Sequence, residues 1–202
     1  MSEKSAKISI GSNSFELPII EGSMGHPAID ARLLNNKGIF SYDPGFTSTA
    51  SCTSSITYVD GDKGELLYRG YPIEQLAEKS DFLDVAYLLF NGNLPNIKEK
   101  QIFSSTINGQ SLLHDQLNNV FRGFRRDAHP MAVMIGVVGS MAAFYFDDMN
   151  INNRNHRRLS ANRLLAKIPT IAAWSHNYNL GLPFVYPTHE LSYVENILNM
   201  MF

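Results

Sequence analysis

The sequence predicts a mainly α-helical fold preceded by a small β-rich region, and three observations carry that expectation. Apolar residues alternate around short turns only within the first 70 residues. From Tyr71 onward helix starts and stops recur, with apolar residues at helical spacing between them. The chain has 202 residues, 44% of them hydrophobic and 18% charged, which is enough apolar material for a sizeable core. The expected division is a β-rich region over 1–70 and a helical region over 71–202.

In the first region, "AKISI" and "SFELPII" flank "GSN" and predict a hairpin. "SITYV" and "ELLYRG" flank "DGDKG", where Gly61 and Gly64 can take the positive φ of a tight turn. "YDPGFTSTASC" between them is a loop, and Cys52 is expected to be a small, semi-buried side chain.

In the second region, Pro72 suits a first helical position, and Phe82, Val85 and Leu89 form one face of a helix that Gly92 stops. "NIKE" is a capping box, with Asn96 as N-cap and Glu99 three residues on. Leu113, Leu117, Val120, Phe121 and Phe124 predict one helical stripe. "FRGFRRDAHPMAVM" then crowds charge against an uncharged run over 130–146. Arg122, Arg125 and Arg126 complement a helix C-terminus, Asp127 the next N-terminus, and either Asp127 or His129 could cap that next helix ahead of Pro130. The run itself falls short of a membrane span; its mix of small and bulky residues predicts a helix buried on all sides.

A further helix is expected over 155–178, with Leu164, Leu165, Ile168 and Ala172 inward, a kink at Pro169 and a stop at Gly181. The final stretch opens with a Ser192 to Glu195 capping box and sets Val194, Ile197, Leu198 and Met201 on one stripe. Stopping in mid-stripe at Phe202, it reads as the front part of a longer protein.

The formal net charge of −2 supplies no global field for nucleic acid or acidic membranes. Arg154, Arg157, Arg158, Arg163 and Lys167 are read as a solvated helix face rather than a nucleic-acid surface. A single cysteine excludes an intrachain disulfide, and the N-terminus lacks a signal-peptide core, so a cytoplasmic location is expected. Histidines 26, 114, 129, 156, 176 and 189 show no helical zinc spacing, and no metal site is expected. Neither a G-x-S-x-G elbow, a P-loop nor a G-x-G-x-x-G sequence occurs.

Several ordered motifs add to this. "YDPGFTSTASC", "SSITYVDGDKGELLYRGYPIEQLA", "FRRDAHPMAVM", "LGLPFVYP" and "LSYVENILNMMF" resemble successive N-terminal motifs of bacterial citrate synthases of the longer type. The likeness covers essentially the whole chain and about the first half of such an enzyme. It implies a citrate-synthase-like helical fold and, in the full-length parent, condensation of acetyl-CoA with oxaloacetate to citrate and CoA in the tricarboxylic acid cycle. An aspartate and two histidines of the family perform this chemistry. They match nothing up to Phe202, so no catalytic residue is assigned here and this chain alone is expected to be inactive. No permanently bound cofactor is implied, acetyl-CoA being a substrate, and a homo-oligomer is, either a dimer or a hexamer built from dimers. The alternative class is a non-enzymatic helical interaction or regulatory protein.

The resemblance also places Tyr145, Arg163 and Lys167 at the NADH-inhibition site of hexameric members. Gly109, Gln110 and Leu112 stand where NADH-sensitive members carry arginine, histidine and methionine, so weak or absent inhibition is expected.

Overall fold

The structure, a computed structural model, describes residues 4–202 and divides into two compact units, Met1–Glu78 and Lys79–Phe202.

In the first unit β1 (Ser5–Ile10) and β2 (Asn13–Ile20) form the expected antiparallel hairpin, running from Ser5 opposite Pro18 to Ile10 opposite Asn13. Gly11, at φ +60°, makes the turn. β3 (Ala28–Ile29) extends this sheet, and α1 (Arg32–Asn35) follows. β4 (Thr57–Asp60), β5 (Glu65–Tyr68) and β6 (Tyr71–Pro72) form a second antiparallel sheet, and α2 (Ile73–Lys79) closes the unit.

Gly64 takes a positive φ in the β4–β5 turn, but Gly61 does not. Asp60 carries that side of the turn instead: its carboxylate accepts from the Lys63 backbone and pairs with the Lys63 ammonium. Pro72 lies opposite Leu67 at the end of β6, so the helix begins one residue later than expected. In the loop before β4 the Asp43 carboxylate accepts from both the backbone and hydroxyl of Thr47, the Ser48 backbone and the Thr49 hydroxyl, and these donors hold its pKa below the usual carboxylate range. Cys52, in the same loop, is exposed rather than semi-buried, since the residues around it are exposed too.

The second unit is helical: α3 (Phe82–Asn91), α4 (Ile97–Asn108), α5 (Leu117–Arg122), α6 (Pro130–Tyr145), a 3-10 turn (Phe146–Asp148), α7 (Arg154–Leu180) and α8 (Tyr193–Met201). The capping signals hold. Asn96 and Glu99 exchange hydrogen bonds at the head of α4, and Ser192 and Glu195 do so at the head of α8. Gly92 and Gly181 end α3 and α7 in the left-handed conformation. At the charged junction His129 is the cap, its Nδ1 accepting from the Met131 backbone, while Asp127 is held by both ends of the Arg125 guanidinium.

Several expected faces are displaced. α3 buries Leu83, Asp84 and Leu88; Phe82 lies outside and stacks on Tyr193 of α8 at 4.9 Å. Asp84 is stabilised there by the Asp81 backbone and by Lys100, whose ammonium reaches Asp81 and Asp84 at 2.7 Å each and ties α4 to α3. The stripe over 113–124 is not one helix: only Leu117–Arg122 is helical, and Leu113 enters the core from a loop. α6 buries one face, Val133, Val137 and Met141, and leaves Met131 and Ile135 outside. α7 begins at Arg154 behind the Asn153 cap and runs through Pro169. Leu164 is exposed, and Leu165, Ile168 and Ala172 are only half-buried. The buried positions instead include Ile171 and Trp174 with Lys167, Thr170, Ser175 and Asn177, because α4, α6 and α8 contact this helix from several sides. α8 likewise buries Asn196 and Met200, while Val194 and Leu198 of its apolar stripe face outward.

The main core joins Leu113, Leu117 and Phe121 to Val133, Val137 and Met141 of α6 and to Ile171 and Trp174 of α7. Each such side chain contributes roughly 1.5–3 kcal/mol by leaving water. Phe124 seals one end: a Cβ added at Gly136 would clash with the Cζ at the tip of its ring. Gly136→Ala is therefore expected to lower stability by about 1–2 kcal/mol in chemical denaturation, despite alanine's better helix propensity. Combining it with Phe124→Leu should cost less than the sum of the two single changes.

Candidate functional site

The features with chemical potential converge on the middle of α7. Arg163 and Lys167, four residues apart, project from one side of the helix toward Tyr145, the last residue of α6. The Arg163 guanidinium lies 4.5 Å from the Tyr145 ring centre and the Lys167 ammonium 5.7 Å, so one aromatic ring serves two cations. The three residues that the resemblance singled out are thus side by side.

Each cation is also engaged elsewhere. Arg163 donates from Nη2 to Asp148 of the 3-10 turn at 2.8 Å, and its Nη1 is buried without a hydrogen-bond partner. Lys167 donates from Nζ to the Gln110 carbonyl at 2.8 Å and to the Leu112 carbonyl. Its side chain is far from the solvated face that a basic helix suggests: Lys167 is 5% exposed. Burial, reinforced by the neighbouring Arg163, lowers its pKa to about 8. Thr170, one turn on, donates to the Ser111 carbonyl at 3.0 Å. Gln110 and Leu112 therefore meet Lys167 through main-chain oxygens rather than through side chains.

This engagement explains why the stripe over 113–124 breaks. The carbonyls of residues 110–112 point at α7 and are lost to any helix, so α5 starts only at Leu117. Asp148 and Thr170 carried no sequence signal of their own. Thr170 could have been found from its three-residue spacing to Lys167, whereas the pairing of Asp148 with Arg163 depends on the turn between α6 and α7.

The remaining basic residues at the head of α7 serve local ends. Arg157 donates to the Ile151 carbonyl and Arg158 to the Asn91 side chain. His129 caps α6, and among the described residues no group of three or more histidine, cysteine or acidic side chains is arranged to hold a metal.

With this geometry in place, comparison with known proteins defines the class. A family model described as citrate synthase, C-terminal domain, matches residues 45–202. The chain belongs to the citrate synthase family. Its fold is similar to that of citrate synthase from Thermotoga maritima MSB8 at TM-score 0.69 and 31% identity, over 80% of this chain and 42% of that one. The Pyrobaculum aerophilum enzyme is similar at TM-score 0.70 and 27% identity, over 99% of this chain and 47% of that one. The enzyme of the thermophilic archaeon Thermoplasma acidophilum, solved with carboxymethyl coenzyme A and oxaloacetate, is similar at TM-score 0.73 and 25% identity, over 80% and 42%. The chain thus spans less than half the length of these structures.

The depressed Lys167 pKa has a signed consequence. Below about pH 8 the amine is charged both folded and unfolded, and the fold bears the full cost of burying it. Between about 8 and the unfolded value of 10.5 the native state binds fewer protons, so this contribution to stability rises with pH. Compared with Lys167→Met, the wild type should gain in thermal midpoint across that window, measured in parallel pH series.

Proposed function

We propose that this chain is part of an enzyme that condenses acetyl-CoA with oxaloacetate to give citrate and CoA, the entry reaction of the tricarboxylic acid cycle, in the cytoplasm. The observation that carries this reading is the family match over residues 45–202 together with similarity to a citrate synthase holding oxaloacetate and a coenzyme A analogue. The catalytic aspartate and histidines belong to the remainder of the enzyme, and no residue here is assigned a catalytic role. Full-length protein should release free CoA thiol only when both substrates are present, and residues 1–202 alone should release none. Thiol release by the full-length protein without oxaloacetate, or none with both substrates, would overturn the assignment.

The active enzyme is a homo-oligomer, a dimer or a hexamer built from dimers. α6 supports this: the stretch Pro130–Asp148 is long and apolar enough to cross a membrane by length and composition, yet one of its faces packs into the helical core. The other face leaves Ile135 71% and Met131 54% exposed, and a second copy would cover it better than water does. Ile135→Glu should shift the full-length protein toward monomer in light scattering. A wild type that is monomeric at micromolar concentration would contradict the proposal.

Inhibition by NADH is weak or absent. Lys167 spends two donors on backbone carbonyls, Arg163 one on Asp148, and Gly109, Gln110 and Leu112 bring no charged donor to replace them. Potent NADH inhibition of the full-length enzyme, abolished by Arg163→Leu, would show this to be wrong.

A further inference from the structure

The connection between α4 and α5 is fastened to α7 in an uncommon way. Three successive carbonyls, those of Gln110, Ser111 and Leu112, accept from just two side chains, Lys167 taking the outer two and Thr170 the middle one. No carboxylate pairs with the Lys167 ammonium among the ion pairs of the described residues. The other groups around it do not neutralise it. Arg163 on the same helix adds like charge, Asp148 in the 3-10 turn is committed to Arg163, and α6 offers only the Tyr145 ring. α8 contributes Tyr193, whose hydroxyl is held by the Leu165 carbonyl, and on α4 Lys100 is occupied with Asp81 and Asp84. Between Gly109 and Leu113 the connection has no ionisable side chain, and His114 and Asp115, which follow, are exposed. The ammonium is thus buried against backbone dipoles and one aromatic ring, with no counter-charge, a costly arrangement.

We propose that the segment over 109–114 is a proton-sensitive flap, which opens so that the charged Lys167 can reach water and closes firmly once the amine is neutral. The linkage sign is set by comparing the two positions. With the flap closed the amine is held to about 8, and with it open a solvated amine has its ordinary value of 10.5. The open form binds a proton more tightly, so falling pH favours opening and rising pH favours closure. Closed, the flap covers the Lys167–Thr170 stretch of α7; open, it frees that stretch.

The test is limited proteolysis of the full-length protein with a broad-specificity alkaline protease, from about pH 7 to about pH 10. Cleavage within 109–114 is divided at each pH by cleavage of an unstructured peptide of the same sequence, which removes the protease's own pH dependence. The ratio should stay level below about pH 8 and fall above it, by up to about tenfold per pH unit, the ceiling for one coupled proton. Lys167→Met should abolish the slope. Thr170→Val, which loosens the flap without altering charge, should raise cleavage at every pH and keep the slope, and it decides the matter should the lysine variant fail to fold. A flat or rising ratio in the wild type, an unchanged slope in Lys167→Met, or a lost slope in Thr170→Val would each overturn the proposal.

Discussion

Backbone carbonyls that no helix or strand uses must find donors, and in the helical unit α7 supplies them. Its side chains reach the carbonyls of Gln110, Ser111 and Leu112 through Lys167 and Thr170, of Phe124 and Ala128 through Tyr178 and Asn179, and of Val185, Pro183 and Met200 through Trp174 and Asn177. Each buried carbonyl left without a donor would cost on the order of 1–3 kcal/mol. Three irregular connections of the unit, before α5, before α6 and before α8, are therefore shaped by one helix that they all touch. Aromatic packing adds to this on the last of them, where Phe184 stacks on Trp174 at 4.6 Å.

That constraint marks where the sequence is legible. Signals that act within four residues were readable: the capping boxes at Asn96 and Ser192, the glycine stops at 92 and 181, and the first hairpin. Signals that depend on what lies opposite were not. Apolar periodicity places Leu164, Val194 and Leu198 inward, but it cannot register a buried Lys167, Thr170, Asn177 or Asn196, whose burial is made tolerable by carbonyls far away in sequence. The same blindness fused Leu113 to the helix that starts at Leu117. Asp81 showed the limit from the other side: its cap is local, but its pairing with Lys100 is not.

The cationic cluster was legible as a grouping, through helical spacing and through family resemblance, but its state was not. Arg163 and Lys167 do meet at Tyr145, yet the oxygens that engage them come from a 3-10 turn and a loop backbone that pattern and spacing leave unspecified. The carbonyls of Gln110 and Leu112, rather than side chains of that segment, engage the lysine.

Trp174 is the chain's single tryptophan, and it is 1% exposed, sandwiched among Phe121, Phe184 and Tyr186. Its emission is consequently a private reporter of the helical unit and is silent about the two small sheets, whose tyrosines emit at shorter wavelength. Backbone dichroism, by contrast, sums over both units. A tryptophan unfolding curve that separates from the dichroism curve would reveal that the sheets and the helices melt as independent cooperative blocks, while coincident curves would mark them as one.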